Sequence, residues 1–152
     1  MNSARVLTLF LFLALVMGGG LTIGYLTRPG EWYLQLAKPS FNPPGWIFGP
    51  VWTVLYVMIA VAGWRLWYAA EAGLARVLWW LQLVLNFSWS PAFFAVNQIG
   101  AALAIIVVLL ITIVSLIALT WRQDRTTALL LVPNAAWVAF ATALNTAIFQ
   151  LN

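Results

Sequence analysis

Residues 99–121 read IGAALAIIVVLLITIVSLIALTW, an unbroken apolar run without a charged side chain. A helix needs roughly 20 such residues to cross the hydrocarbon core of a bilayer, and this run is long enough. Four further segments share its character, at 6–26, 45–64, 77–96 and 127–151, and none of them contains a charged residue. Over the whole chain 64% of residues are hydrophobic and 7% charged, against about 45–50% and about 25% in a soluble domain. A soluble fold of this size could not hide so much apolar surface, so the solvent of these helices is lipid.

The remaining connections are short, at 65–76, 97–98 and 122–126, which makes sequential helices antiparallel neighbours. The expectation is an all-α membrane protein with a single domain over residues 1–152: a five-transmembrane-helix bundle with a long lid loop, about 27–44, between helices 1 and 2. A β-barrel would need short alternating strands, and the pattern holds none. A secretory leader is the alternative for the first segment, with Arg5, an apolar run, then Gly18, Gly19 and Gly20. Apolar character continues through Leu21, Ile23, Tyr25 and Leu26, too far for a leader, and the other four spans would still make a membrane protein.

Charge is sparse. The net +4 is scattered over the chain, which excludes nucleic acid as a partner. Arg5, Arg65, Arg76, Arg122 and Arg125 fall on one side of a five-span bundle, and Arg28 and Lys38 on the other. The positive-inside rule then predicts a multi-pass protein of the bacterial inner membrane, with a cytoplasmic N-terminus and the 27–44 loop outside.

Composition also removes most reaction chemistry. With neither histidine nor cysteine there is no ordinary zinc site, no thiol nucleophile and no His or thiolate ligand for haem. Glu31, Glu71 and Asp124 are the only carboxylates, too few and too dispersed for a paired-carboxylate mechanism. No span holds an ionisable acid or base of the kind that marks an ion path, so ion-coupled transport is the least supported function. Neither a metal nor a required cofactor is expected.

What the chain has in abundance is tryptophan, ten residues of it. Trp offers a large flat face and one N–H donor, suited to a cavity for flat apolar ligands or to the headgroup level of a bilayer. Tyr25, Trp67, Tyr68 and Trp121, near span ends, read as interfacial anchors. The loop carries Trp32, Tyr33, Lys38, Pro39, Pro43 and Pro44, the last two starting the second span. It reads either as a stiff surface loop or as a lid whose Trp32 and Tyr33 close over a cavity. On the second span Trp52, Tyr56 and Gly63 share a stripe. On the third, Gln82, Asn86, Trp89 and Phe93 share a narrow face, and uncharged polar groups at that depth should point inward. On the fifth, Asn134, Trp137, Ala141 and Asn145 do the same. Ala135, Ala139, Ala143 and Ala147 form the opposite face and read as a helix-packing surface.

Several of these residues resemble a known signature. Trp32, Tyr33 and Leu36, followed by KPSFNPPGW from Lys38 to Trp46, look like the loop motif of the translocator protein (TspO/MBR) family. Its members are also called tryptophan-rich sensory proteins and peripheral-type benzodiazepine receptors. The likeness continues through VWTVLY from Val51, QLVLN from Gln82, and Trp89, Ser90 and Pro91 with Phe93 and Phe94. It reaches the last span at Pro133, Trp137, Phe140, Ala141, Thr142, Leu144 and Asn145.

The resemblance implies five transmembrane helices around a ligand pocket capped by the first loop. It also implies binding of porphyrins such as protoporphyrin IX, or of benzodiazepine and isoquinoline-type ligands, and a homodimer. Trp32 and Tyr33 would cap the pocket, Trp52 would wall it, and Asn86 would supply a polar contact. Trp137 would be the tryptophan implicated in porphyrin chemistry, with Ala141 beside it; Gln82 carries over more weakly. Phe93 and Asn145 complete the expected ligand-binding set. Light- and oxygen-dependent breakdown of protoporphyrin, using Trp137 and Trp32, is the enzymatic alternative. A membrane interaction or regulatory protein without turnover is the other. The cholesterol-associated pattern of animal members needs a Tyr and a basic residue near the end of the last helix. Residues 144–151 read LNTAIFQL, which counts against specific cholesterol binding and points to a bacterial member.

Overall fold

In hydrocarbon a backbone N–H or C=O has no water to pair with, so a spanning chain must be helical or form a closed barrel. The computed structural model describes residues 2–152, and among them it is helical with no strand. Four helical stretches are long and apolar enough to cross a membrane: Ser3–Leu26, Gly45–Tyr68, Ile99–Thr120 and Arg125–Leu151. The expectation of five equivalent spans is met for these four. The other long helix carries Arg76, Gln82, Asn86, Ser88 and Ser90, and this polar content separates it from the rest.

The first rod is α1 (Ser3–Leu13), a π-helical turn (Ala14–Gly18) and α2 (Gly19–Leu26). A short α3 (Glu31–Gln35) follows, then a 3-10 turn (Gly45–Ile47) leading into α4 (Phe48–Tyr68). Next come α5 (Gly73–Ser90), a second π-helical turn (Pro91–Ala95), α6 (Ile99–Thr120) and α7 (Arg125–Leu151). The 27–44 segment is therefore not loop throughout, since Glu31 opens a short helix after Gly30. The second π turn has a clear cause. Pro91 has no N–H to continue the α-helical ladder, and the chain takes wider bonds instead, with Val96 N–H reaching Pro91 O at 2.9 Å. Asn97, at φ 58°, ends the helix in the left-handed region, where Asn is among the few residues tolerated. Gln98 N–H then closes back on Ala92 O at 3.0 Å, pairing a carbonyl of the π turn.

Helix ends overrun the expected bounds because their side chains find partners there. Trp64 Nε1 donates to Arg5 O at 3.0 Å, and Tyr68 Oη pairs with Thr8 Oγ1 at 2.8 Å. Arg76 folds back to donate to Leu66 O at 2.9 Å and also to Ala69 O, adding a side-chain cap to the C-terminal end of α4. Arg65 grips Asp124 with two hydrogen bonds of 3.0 and 2.8 Å, joining the end of α4 to the N-cap of α7.

Two core contacts fix helix spacing. A Cβ at Gly63 would overlap the Trp79 ring, whose Nε1 donates to Ile59 O at 3.0 Å. A Cβ at Gly20 would likewise overlap the Tyr56 ring. Gly63 thus serves packing and does not share the site with Trp52 and Tyr56, and Gly20 is committed within the chain. The alanine face of α7 packs on nothing here at its middle, since Ala139 and Ala143 are exposed.

The Arg65–Asp124 pair yields a pH prediction. Burial alone would raise the Asp124 carboxyl, but bonds from Arg65 and Thr127, with the Arg65 charge, outweigh it and hold the carboxyl at about 2. A depressed folded pKa means the contribution is complete above the ordinary value of 3.8 and is lost as pH falls through about 2. Asp124→Asn should lower stability by about 0.5–1 kcal/mol, small because the Arg65 side chain is 35% exposed and solvent screens the pair. Thermal unfolding in detergent should show that deficit unchanged from pH 7 to 5. A deficit already gone at pH 5 would contradict the geometry.

Candidate functional site

The first rod leans on α4 along α1 and its π turn, while α2 turns to α5. Beyond the Gly20–Tyr56 contact the rod and α4 therefore part, and a cavity of about 480 Å³ opens between them. That volume lies in the range of small-molecule sites, roughly 300–1,000 Å³. One wall is Phe48, Trp52 and Tyr56 of α4; another is Asn86, Phe87, Trp89 and Phe93 from α5 and its π turn. Ala141, Leu144, Asn145 and Ile148 of α7 form the back, and Tyr33, Asn42 and Pro43 lie across one end.

The aromatic residues form two tiers. Trp52 stacks on Tyr56 with centroids 5.4 Å apart and planes 30° from parallel. Trp89 and Phe93 are 5.4 Å apart at 32°. Small residues leave the space between walls free: a Cβ at Gly24, Gly45 or Gly49 would meet nothing within 4 Å. Aromatic rings on two walls of an open gap suit a flat ligand.

Polar groups are few, and most are already engaged. Asn145 Oδ1 accepts from Trp89 Nε1 at 3.0 Å, and its Nδ2 donates to Ile99 O at 3.2 Å. Asn145 therefore sets the Trp89 ring and ties α7 to the start of α6. Thr27 and Ser90 hydroxyls pair at 2.5 Å, and Thr27 Oγ1 also donates to Ile23 O. Asn86 differs: it lines the cavity, and its Nδ2 is buried without a protein partner, so its amide is not committed to the protein as that of Asn145 is. Among the described residues Arg28 is the one charged side chain lining the cavity. No cluster of metal-ligating side chains occurs among the described residues.

The 27–44 segment is held by contacts at both ends. Trp32 meets Phe93 edge-on at 5.9 Å, Tyr33 meets Phe94 at 5.3 Å, and Phe41 meets Phe140 at 6.3 Å. Lys38 Nζ donates to Leu34 O and Leu36 O at 3.3 and 3.1 Å and lies 4.6 Å over the Tyr33 ring. Burial pushes the Tyr33 phenol up, opposed by its bond to Asn42, so the group is neutral at physiological pH and donates to Asn42 Oδ1. Asn152 clasps the segment from α7: its Oδ1 accepts from Ala37 N–H at 3.0 Å and its Nδ2 donates to Ala37 O at 3.0 Å.

Of the residues expected from sequence, Tyr33, Trp52, Asn86, Phe93, Ala141 and Asn145 line the cavity. Three do not. Trp32 stands behind Phe93. Gln82 is fully buried between helices, one turn of α5 away from Asn86. Trp137 packs against Phe48 at 5.7 Å and Phe140 at 5.4 Å, its indole N–H buried without a partner. Sequence reasoning missed Phe48 and Ile148, although extending the Trp52–Tyr56 stripe back one turn reaches Phe48. It missed the inward role of Gly20, Ile23 and Gly24 because the direction of α2 depends on the π turn before it.

The TspO/MBR family model matches residues 11–151. The tryptophan-rich protein TspO of Chlorobaculum tepidum is 40% identical, covering 97% of this chain and 98% of its own. The tryptophan-rich sensory protein of Cereibacter sphaeroides is 34% identical over 95% and 91% of the two chains. The translocator protein of Ovis aries is 38% identical over 89% and 83%.

Two substitutions separate cavity residues from supporting ones. Asn152→Ala should speed hydrogen exchange at the Ala37 amide at least tenfold, read by mass spectrometry, while unfolding temperature changes little. Gln82→Met should leave the affinity of any cavity ligand within about twofold of wild type, because Gln82 does not reach the cavity; a larger loss would place the amide in contact with ligand.

Proposed function

This chain belongs to the TspO/MBR family, and on that premise we propose that its cavity binds a flat, largely apolar ligand of the tetrapyrrole class, such as protoporphyrin IX. The protein then acts as a membrane receptor, sensor or carrier, and benzodiazepine- or isoquinoline-type molecules would compete for the same space. The observation that carries this reading is the pair of aromatic tiers, Trp52–Tyr56 and Trp89–Phe93, facing one lipid-embedded cavity. The reading needs no metal and no acid–base pair.

In this reading residues 73–95 span as a fifth helix. At 1.5 Å per residue they extend about 34 Å, enough for a core of about 30 Å, and their polar side chains face the bundle. The 27–44 segment is the lid, with Tyr33 over the cavity and the Asn152 clasp as its latch. Arg5, Arg65, Arg76, Arg122 and Arg125 gather at the end away from the lid, which supports a cytoplasmic N-terminus in a bacterial inner membrane. Two such chains would pair as a homodimer. Light-driven porphyrin breakdown through Trp137 or Trp32 draws less support, since Phe48 and Phe93 stand between these rings and the cavity.

Titration of the purified protein with protoporphyrin in the dark, followed by tryptophan quenching, tests the reading. Saturable binding is expected. Trp52→Ala should weaken it roughly 3–10-fold, matching about 0.5–1.5 kcal/mol for a lost aromatic pair, and Asn86→Ala should weaken it less. Trp137→Phe should leave it unchanged. Binding that is absent, or indifferent to Trp52 and Asn86, would remove the tetrapyrrole reading. Orientation is tested separately by single cysteines in this cysteine-free chain. A membrane-impermeant maleimide should label Gly30→Cys and spare Glu71→Cys in intact cells; the reverse pattern would invert the topology.

A further inference from the structure

The cavity reaches the surface of the bundle on one side. Its lining includes Leu21, Gly24, Tyr25 and Arg28 along one edge and Gly45 and Gly49 along the other, all exposed. A Cβ at Gly24, Gly45 or Gly49 would meet nothing within 4 Å, so the two edges form an open slit between α2 and the entry to α4. The slit is apolar except at one corner, where Arg28 stands.

The state of Arg28 is informative. Its guanidinium lies 4.0 Å over the Tyr25 ring, which orients the planar group at the rim. The one ion pair among the described residues is Arg65–Asp124, at the other end of the bundle, so Arg28 forms no ion pair with a carboxylate among them. The other cation of this end, Lys38, is spent on two lid carbonyls. The Thr27 hydroxyl is likewise engaged with Ser90 and Ile23. Deeper in the cavity the uncommitted groups are neutral: the Asn86 amide, whose Nδ2 has no protein partner, and the Trp52 indole and Tyr56 phenol of the wall. Polarity in the cavity is thus graded, with a cation at the mouth and aromatic walls carrying neutral polar groups alone within.

Such a gradient selects a ligand of matching polarity. A carboxylate taken into the apolar interior would lose its hydration without compensation, whereas at the rim it keeps water and gains a charge-assisted bond. A guanidinium fork fits a carboxylate with two parallel hydrogen bonds. We propose that Arg28 is the specificity-determining residue of the cavity: it takes a carboxylate of a flat amphiphile whose apolar ring system enters through the glycine-sided slit toward Trp52 and Asn86. The ligand class is an aromatic carboxylic acid held acid end outward. This deepens the tetrapyrrole reading and rests on it, since protoporphyrin carries its carboxylates on one side of the ring.

The experiment compares protoporphyrin with its uncharged dimethyl ester, in the dark, on protein in zwitterionic lipid nanodiscs. Wild type should bind the diacid at least tenfold more tightly than the diester, and added salt should narrow that preference. Arg28→Gln should abolish the preference by weakening the diacid alone, leaving diester affinity and unfolding temperature at wild-type values. Arg28→Lys should restore part of it. Equal weakening of both forms by Arg28→Gln, or no preference in wild type, would overturn the assignment while leaving the tetrapyrrole reading intact. Binding of neither form by wild type would overturn the tetrapyrrole reading and this assignment with it. Anionic lipid added to the nanodiscs distinguishes the other source of an anion: loss of diacid binding in wild type, but not in Arg28→Gln, would give Arg28 to a lipid headgroup and overturn the proposal.

Discussion

The ring of Tyr56 occupies the space that a side chain at residue 20 would fill, and this approach sets the geometry of the cavity. It brings the first rod against α4 at one level only. One helical turn earlier the π turn Ala14–Gly18 has already redirected the rod, so beyond Gly20 it follows α5 and leaves α4. Gly19, beside it, lets Phe87 come close enough that a Cβ would lie 2.8 Å from the ring. Two adjacent glycines thus let the rod touch both neighbours at the cavity floor. Tyr56, held there, gives Trp52 a surface to stack on, and the aromatic wall follows.

Lipid as solvent explains how the polar residues are spent. At the membrane ends, Arg65, Arg76 and Asp124 satisfy one another and the helix termini, which otherwise carry unpaired carbonyls and amides. Within the bundle, Asn145 is fully employed in holding Trp89 and the start of α6. Its presence in the cavity wall is therefore a consequence of structure more than of recognition. The Asn86 amide, whose Nδ2 has no protein partner, and the rim guanidinium of Arg28 are not spent in this way, and this sets them apart from Asn145. A cavity with an uncommitted amide, a cation at its rim and mostly aromatic walls has the shape and polarity to hold and orient a flat molecule.

Several properties could be read from residues alone. The run at 99–121 leaves lipid as the only solvent, and with it helices as the only backbone solution. The absence of histidine and cysteine removes whole classes of chemistry. The loop from Trp32 to Trp46 identifies the family, and the periodic faces bearing Asn86, Phe93, Ala141 and Asn145 locate the interior, because 3.6-residue periodicity is a local property of the chain.

What sequence could not assign was which inward groups reach the same empty space. Gln82 and Asn86 share a helical face, yet one is sealed between helices and the other meets the cavity, because the divergence of α2 from α4 begins between their levels. Trp32 and Trp137 are tryptophans in the right places that stand one ring too far out, behind Phe93 and Phe48. Lys38 and Arg28 look alike as cations of one loop, and only the fold of that loop commits the first to backbone carbonyls and leaves the second at the mouth. Solvent, backbone form and family were determined by the sequence itself, through composition and periodicity. The cavity, its open side and its one free charge were decided by tertiary structure, because each depends on where helices distant in sequence touch and where they part.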